Sequence, residues 1–442
     1  MADIDKGLPN TRTEIKVPSE EELQVDVQED IVEKPPVEVI PEEDGGATID
    51  FKPGAINIPG TESHFDNLAD ILPEDVLEPI GGDMVNNYMD YKSSRKDWEE
   101  SYKTGLDLLG FKYENRTEPF QGASGATHPV LAEAVTQFQA QAYKELLPAD
   151  GPVRTQVIGL KNPTTEQQAT RVKDYMNYLI MDEMKEYEAE FDSMLFHLPL
   201  AGSTFKKVYY DVPLGRVVSK FVPADELIVP YTATSLNDAE SVIHVVKISE
   251  NELRKQQVSG FYRDVELAPP GNVEQNSVEK KERELDGTKK TGKQEPVYTL
   301  LECHVNLDLE GFEDVGSDGE PTGIKLPYIV TVEEGSRTVL SIRRNYAPND
   351  LKKNKIQYFV HFKFLPGLGF YGFGLIHMIG GLSRTATAAL RQLLDAGTLS
   401  NLPAGFKQRG VRVRDEAAPI QPGEFKDVDA PGGNLRDAFF PL

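Results

Sequence analysis

GLGFYGFGLIHMIGGLSRTATAALRQLLDAGTLSNLP, residues 367–403, passes from an aromatic and glycine-rich turn into an Ala- and Leu-rich stretch that stops at Asn401-Leu402-Pro403. Apolar or small residues fall at Leu375, Ile379, Leu382, Ala386, Ala389 and Leu393, spaced four, three, four, three, four. That spacing predicts one helix from Phe370 to about Ser400 with a narrow apolar stripe. Gly380-Gly381 is where it would kink or start late. Arg384 and Arg391, seven apart, share another face, flanked by the small residues Ser383, Thr385, Thr387 and Ala388. One apolar seam with small flanks suits close packing against copies of itself or a neighbour. The side chains an active site needs are missing from it.

Outward from this stretch, 442 residues are enough for two or three domains. The net charge of -25 is unevenly placed: residues 1–80 hold 21 Asp and Glu against 5 Lys and Arg, and the rest 51 against 42. An acidic balance argues against a sequence-reading DNA-binding protein. A single cysteine, Cys303, excludes a disulfide framework or a cysteine metal site within one chain. The seven histidines are scattered, with no HExxH and no ligand spacing. No cofactor and no metal is expected. With no signal peptide and no apolar run of membrane length, the chain reads as intracellular and soluble.

Residues 1–65 form an acidic, Pro- and Val-rich arm, expected to be disordered or to lie as extended strands on a neighbouring subunit. Helical periodicity follows over Asp83–Leu109, from Pro129 to Pro148, from Pro163 toward Met184, and over Glu188–Leu198. From Ser203 the period becomes two. Strands are predicted at 204–210, 216–222, 241–247, 297–305, 328–332 and 356–362, the first two as a hairpin. Residues 268–295, rich in Lys and Glu, read as a solvated, mobile insertion. After Pro403 short strands are expected near Val411 and Gly423. The fold class is α+β.

Chemical readings compete with plainer ones. Gly367-x-Gly369-x-x-Gly372 lies between a strand and a helix, as a dinucleotide fingerprint requires. Phe370, Tyr371 and Phe373 would crowd a pyrophosphate and no Gly-Lys-Ser/Thr follows, so a tight turn packing aromatics is preferred. Ser124 in GASGATH lacks the context of a nucleophile elbow. It and His128 read as parts of a turn and helix cap. Asp182-Glu183 and Glu186/Glu188/Glu190 read as solvated helix faces rather than Mg2+ ligands. Lys92, Arg95 and Lys96 read as a surface patch pairing with Glu99 and Glu100.

The stretch 367–403, with GASGATHPVLAEAVTQFQAQAYKELLP (122–148), LPLAGSTFKKVYYD (198–211) and VPADELIVPYTATSLNDAESVIH (222–244), resembles the portal (head–tail connector) proteins of tailed bacteriophages, short-tailed type. The resemblance runs from about Gly81 to the C-terminus and carries no catalytic signature. It implies a helix-rich wing with antiparallel β segments over 66–365, a first stem helix over 366–400 and a small, partly β clip over 401–442. By that resemblance the chain is not an enzyme. It would form a homo-oligomeric ring, a dodecamer, at one capsid vertex, assembled in the host cytoplasm. Its partners would be the terminase large subunit, tail adaptor proteins, the major capsid protein and double-stranded DNA passing through without sequence preference; no membrane is involved. Arg384, Arg391 and Asp395 are the candidate channel or inter-subunit residues. Arg412, Arg414, Asp415, Glu416, Lys426, Asp427 and Asp429 are the candidate docking residues. Relatives continue into a second stem helix and a crown, so a chain stopping at Phe439-Phe440-Pro441-Leu442 is expected to be incomplete. Other virion proteins, a neck adaptor or a scaffold, are the alternative; a nucleotide-binding enzyme built on 367–374 is a third reading.

Overall fold

Alternating apolar residues from Ser203 onward pair into two antiparallel sheets, and helices that precede them in the chain cover their faces. In the computed structural model, residues 63–401 are described except 119, 121, 212–213, 270–275, 289–296 and 317–319; outside that range only the backbone of 38–41, 47–50, 405–407, 412–413, 428–429 and 439–441 is described. The chain divides into two units, Met1–Glu62 and Ser63–Leu442. In the first, β1 (Glu38–Pro41) pairs antiparallel with β2 (Ala47–Asp50). Residues 63–65 of the predicted arm open the second unit, where His64 Nε2 lies 2.8 Å from Tyr346 O; the rest of the arm lies outside the described residues.

The second unit opens with a 3-10 turn at Leu68–Asp70, then α1 (Glu74–Ser94), α2 (Lys96–Asp107), α3 (Val130–Leu146) and α4 (Pro163–Tyr178). A π-turn at Leu179–Glu183 leads to α5 (Tyr187–Ala201). Then come β3 (Ser203–Asp211), β4 (Arg216–Pro223), β5 (Leu227–Ile228), β6 (Ser241–Ser249), α6 (Glu250–Val258) and α7 (Ser277–Leu285). β7 (Val297–Leu307), β8 (Leu326–Glu333), β9 (Val339–Arg344), β10 (Phe359–Lys363) and α8 (Leu375–Asn401) complete the body. Helices and antiparallel sheets together make the fold α+β.

β5-β6-β7-β8-β9 form a five-stranded meander and β10-β3-β4 a three-stranded sheet. β7 is buried along nearly its whole length because both its faces are covered. Leu301, Cys303 and Val305 pack in one core with Met84, Val85 and Tyr88 of α1. The second sheet shares a core with the end of the first: Phe205, Val222 and Phe359 meet Leu227, Val242 and Phe370. A charged bridge joins the sheets, where Lys207 of β3 pairs with Glu302 of β7. His304 Nε2 lies 2.8 Å from the other Glu302 oxygen. Burial alone would raise the Glu302 carboxyl; Lys207, His244 and His304 hold it well below the usual range.

Sheet edges are closed by side chains. Asn67 Oδ1 accepts from Ile342 N at 2.9 Å and its Nδ2 donates to Leu340 O at 3.2 Å, which covers β9. The sequence reading puts Glu186 and Glu190 on a solvated face. Instead Glu186 holds Arg216 through two bonds of 2.8 Å, and Glu190 accepts from Phe221 N at 2.7 Å, closing β4. Three other expectations are corrected. The single helix over 83–109 is two helices that break at Arg95 (φ -105, ψ 11). Within 268–295, read as a solvated insertion, α7 is docked with Val278 fully buried. The helix expected from Phe370 begins at Leu375, because 370–373 are spent in the turn before it. α4 buries no residue, and Ile158 and Leu160 before it are 95% and 87% exposed. Among the described residues no helix is long and apolar enough to cross a membrane, and no cluster could hold a metal ion.

Candidate functional site

The turn that aims α8 is built from glycines that let two backbones touch. Gly372 and Gly374 lie against the α5–β3 corner at Gly202, which has φ +85°. A Cβ on Gly372 would sit 2.5 Å from Gly202 O and 2.7 Å from Leu365 O; one on Gly374 would meet Leu200 O more closely still. Gly372 N donates to Ser203 Oγ at 2.7 Å. Phe370 stacks on Phe205, with ring centres 5.9 Å apart, and Tyr371 stacks on Trp98 at 4.7 Å. The glycine run thus serves close packing, and its aromatics anchor the helix that follows.

Gly374→Ala is expected to destabilise the subunit by about 3–5 kcal/mol, since neither backbone can yield. Gly381 is the contrast: it sits inside an unbroken helix, and a Cβ there would have nothing within 4 Å. Gly381→Ala should stabilise by up to about 1 kcal/mol. Denaturation midpoints of the two variants check this, and equal effects would overturn the reading of the turn.

Arg95 clamps the turn to the rest. Its guanidinium donates to Glu99 Oε1, Ala224 O and Leu227 O, each at 2.9 Å, to Tyr371 Oη at 3.0 Å, and to Asp225 O. The sequence reading places Arg95 on a surface patch. It is buried, and of its contacts only the pairing with Glu99 is foreseen by local spacing. The carbonyls it binds belong to the PADELI segment, and no local spacing signals that partnership.

α8 runs unbroken through Gly380-Gly381. Its buried side consists of Ile376, Gly380, Ser383, Thr387 and Asp395. The predicted stripe lies roughly 130° around the helix from that side at 3.6 residues per turn. Leu382 is 69% and Leu393 72% exposed, with Met378 and Leu394 also exposed. Within one chain the small and polar face packs, as do Leu375 and Ile379 at the start of the stripe, while Leu382, Ala389 and Leu393 do not.

The polar face staples down the 111–128 segment. Thr387 Oγ1 accepts from His128 N at 3.1 Å and Asp395 Oδ1 from Ser124 N at 2.6 Å. Arg391 donates to Ala126 O at 2.7 Å and Thr127 Oγ1 at 3.1 Å, and pairs with Glu114 at 3.1 Å. Between α8, this segment and the ends of α2 and α7 lies a groove of about 930 Å3. Lys112 pairs there with Glu284 and Lys281 with Asp107. Arg384 is exposed on the groove and has no ion-pair or hydrogen-bond partner among the described residues. Leu108, Phe120, Leu285 and Ala388 add apolar lining.

Of the sequence candidates, Arg384, Arg391 and Asp395 therefore meet on one groove, with Arg391 and Asp395 bonded within their own chain. Arg412 and Asp429 face each other in backbone register, β12 (Arg412–Val413) against β13 (Val428–Asp429). Their side chains, and all of Arg414, Asp415, Glu416, Lys426 and Asp427, lie outside the described residues. β11 (Gly405–Lys407) pairs with β14 (Phe439–Pro441).

A family model described as phage SU10 portal protein matches residues 207–441, just over half of the chain. The match takes in the 222–244 and 367–403 segments whole and begins inside 198–211. No curated protein matches the chain.

Proposed function

The chain belongs to the phage SU10 portal protein family, and from that premise we propose that its copies assemble into the ring through which a tailed bacteriophage packages and ejects its genome. It is a portal protein, a structural component of the virion. The proposed ring is a dodecamer at one capsid vertex, held by the major capsid protein and assembled in the host cytoplasm. Double-stranded DNA passes through it without sequence readout. The terminase large subunit docks on it during packaging and tail adaptors afterwards. The chain performs no catalysis of its own in this scheme. Residues 66–365 serve as the wing, 366–400 as the stem helix and 401–442 as the clip.

The observation that carries the ring is the uncovered part of the α8 stripe, Leu382, Ala389 and Leu393. Leucines at helical spacing, exposed on a helix that packs by its other side, are a contact awaiting a partner. The groove opens on the side of α8 away from that stripe. Two unlike faces on one helix suit a head-to-tail contact, in which each copy offers its stripe to one neighbour and its groove to the other. Repetition of such a contact closes a ring when the rotation between neighbours divides a full turn. Electron microscopy of the purified chain, with sedimentation to count copies, tests this; a monodisperse single subunit at micromolar concentration would overturn it.

Arg384, lacking an intrachain partner among the described residues, is assigned to the channel wall or to a neighbour's carboxylate, and Arg391 and Asp395 to holding the groove in shape. Docking of terminase and adaptors is assigned to Arg412, Arg414, Asp415, Glu416, Lys426, Asp427 and Asp429. Arg412→Glu with Arg414→Glu should weaken docking roughly tenfold or more while rings persist, as charge reversal at an interface rim does. Pull-down of terminase on intact rings reads the outcome, and normal docking would remove the assignment.

A further inference from the structure

We propose that α7 is a proton-operated clasp: Val278 and its ion pairs dock it on the body with Glu282 close to Asp225 and Glu226, and it lets go as Glu226 and Glu282 ionise. The 223–227 turn presents Asp225 and Glu226, and α7 presents Glu279, to one small cavity; Glu282, half-buried one turn further along α7, lies beside Tyr102. Asn276, preceding α7, donates to Asp225 Oδ2 at 3.2 Å, and Tyr102 Oη of α2 lies 3.5 Å from Glu282 Oε1. Val278, fully buried, anchors the helix between them. A cavity of about 40 Å3 reaches from α7 to Asp225 and Glu226, room for a water molecule.

The cations facing this space do not match its carboxylates. Lys247 of β6 is taken by Glu279, and Arg95 is bonded to Glu99 and to backbone carbonyls. Lys92 of α1 and Glu334 after β8 share the cavity wall, and His197 of α5 is the remaining group that favours an ionised Asp225. On the outer side of α7, Lys281 pairs with Asp107 and Glu284 with Lys112, while Arg283 holds Glu279; Asp286 adds one more negative charge beyond them. Burial first, then Asp225, Glu226, Asp286 and Glu279, push Glu282 up to about 8. Burial, then Asp225, push Glu226 up to about 7, against Lys247.

The sign follows from linkage. A carboxyl raised on docking stabilises the docked state fully below its free value, near 4.5, and that contribution is lost as pH rises through the docked values. The clasp is therefore tight in mild acid and loosens above neutrality. Its release would withdraw Lys281, Glu284 and Leu285, which form one wall of the groove beside α8. This inference concerns the subunit alone and stands whether or not the ring contact is as proposed.

Amide hydrogen exchange of the full chain, corrected for intrinsic rates, is the test. Protection of 277–285 is expected to fall about tenfold or more between about pH 6 and about pH 8.5, while that of 297–307 holds. Glu282→Gln, neutral and of the same shape, should keep α7 protected at the higher pH; Glu226→Gln asks the same from the opposite side and serves if the first variant folds poorly. Equal protection at both pH values in the unaltered chain, or a full fall retained in both variants, would overturn the clasp.

Discussion

Glutamate at both Leu382 and Leu393 is expected to give a well-folded single subunit that forms no rings. Neither leucine contributes to the subunit's core, at 69% and 72% exposure, so circular dichroism and the denaturation midpoint should barely move. In the assembly each would be buried. Losing one such contact costs about 1.5–3 kcal/mol, before the penalty of placing a carboxylate there. Two per contact weaken association by roughly a hundredfold to ten-thousandfold. Sedimentation should show single subunits at concentrations where the unaltered chain is assembled. Rings of normal stability would place the inter-subunit seam elsewhere; an unfolded subunit would mean that the stripe is internal after all.

Arg95→Ala should cost about 3–5 kcal/mol of subunit stability, the largest loss expected from any single side chain in the body. Removing the guanidinium takes its donors from the carbonyls of Ala224 and Asp225 and leaves Glu99 buried without its counter-charge. Leu227 O and Tyr371 each lose one partner, keeping only the 3.3 Å bond between them, which loosens the turn that aims α8. Arg95→Lys should recover little, because one ammonium cannot reach acceptors fanned around a planar fork. Chemical denaturation of the three proteins measures this. A loss under about 1 kcal/mol for alanine, or full rescue by lysine, would show that Arg95 is not the anchor.

The sequence alone determined the elements and their kind. Period-two runs at 204–210, 216–222, 241–247, 297–305 and 328–332 became strands, each a residue or more longer, and the four-three spacing of 375–393 became a helix unbroken by its paired glycines. These are local consequences of side-chain periodicity and backbone preference, so one chain segment suffices to reveal them. The order of four unremarkable segments likewise pointed to the family. Which face of each element is covered was decided only by the tertiary fold. The stripe on α8 was legible, but that the helix would turn Thr387 and Asp395 inward and leave Leu382 and Leu393 bare depends on the 111–128 segment, whose His128 and Ser124 N–H groups take those two side chains as partners. Arg95 looked like any surface cation beside two glutamates until the 224–227 carbonyls, about 130 residues away, closed around it. α7 looked solvated because its charges dominate a short window, yet burying Val278 and pairing Lys281 and Glu284 with Asp107 and Lys112 were enough to dock it. Long-range hydrogen bonding and burial have no signature in local spacing, because the groups that satisfy a side chain are chosen by the fold and not by its neighbours along the chain.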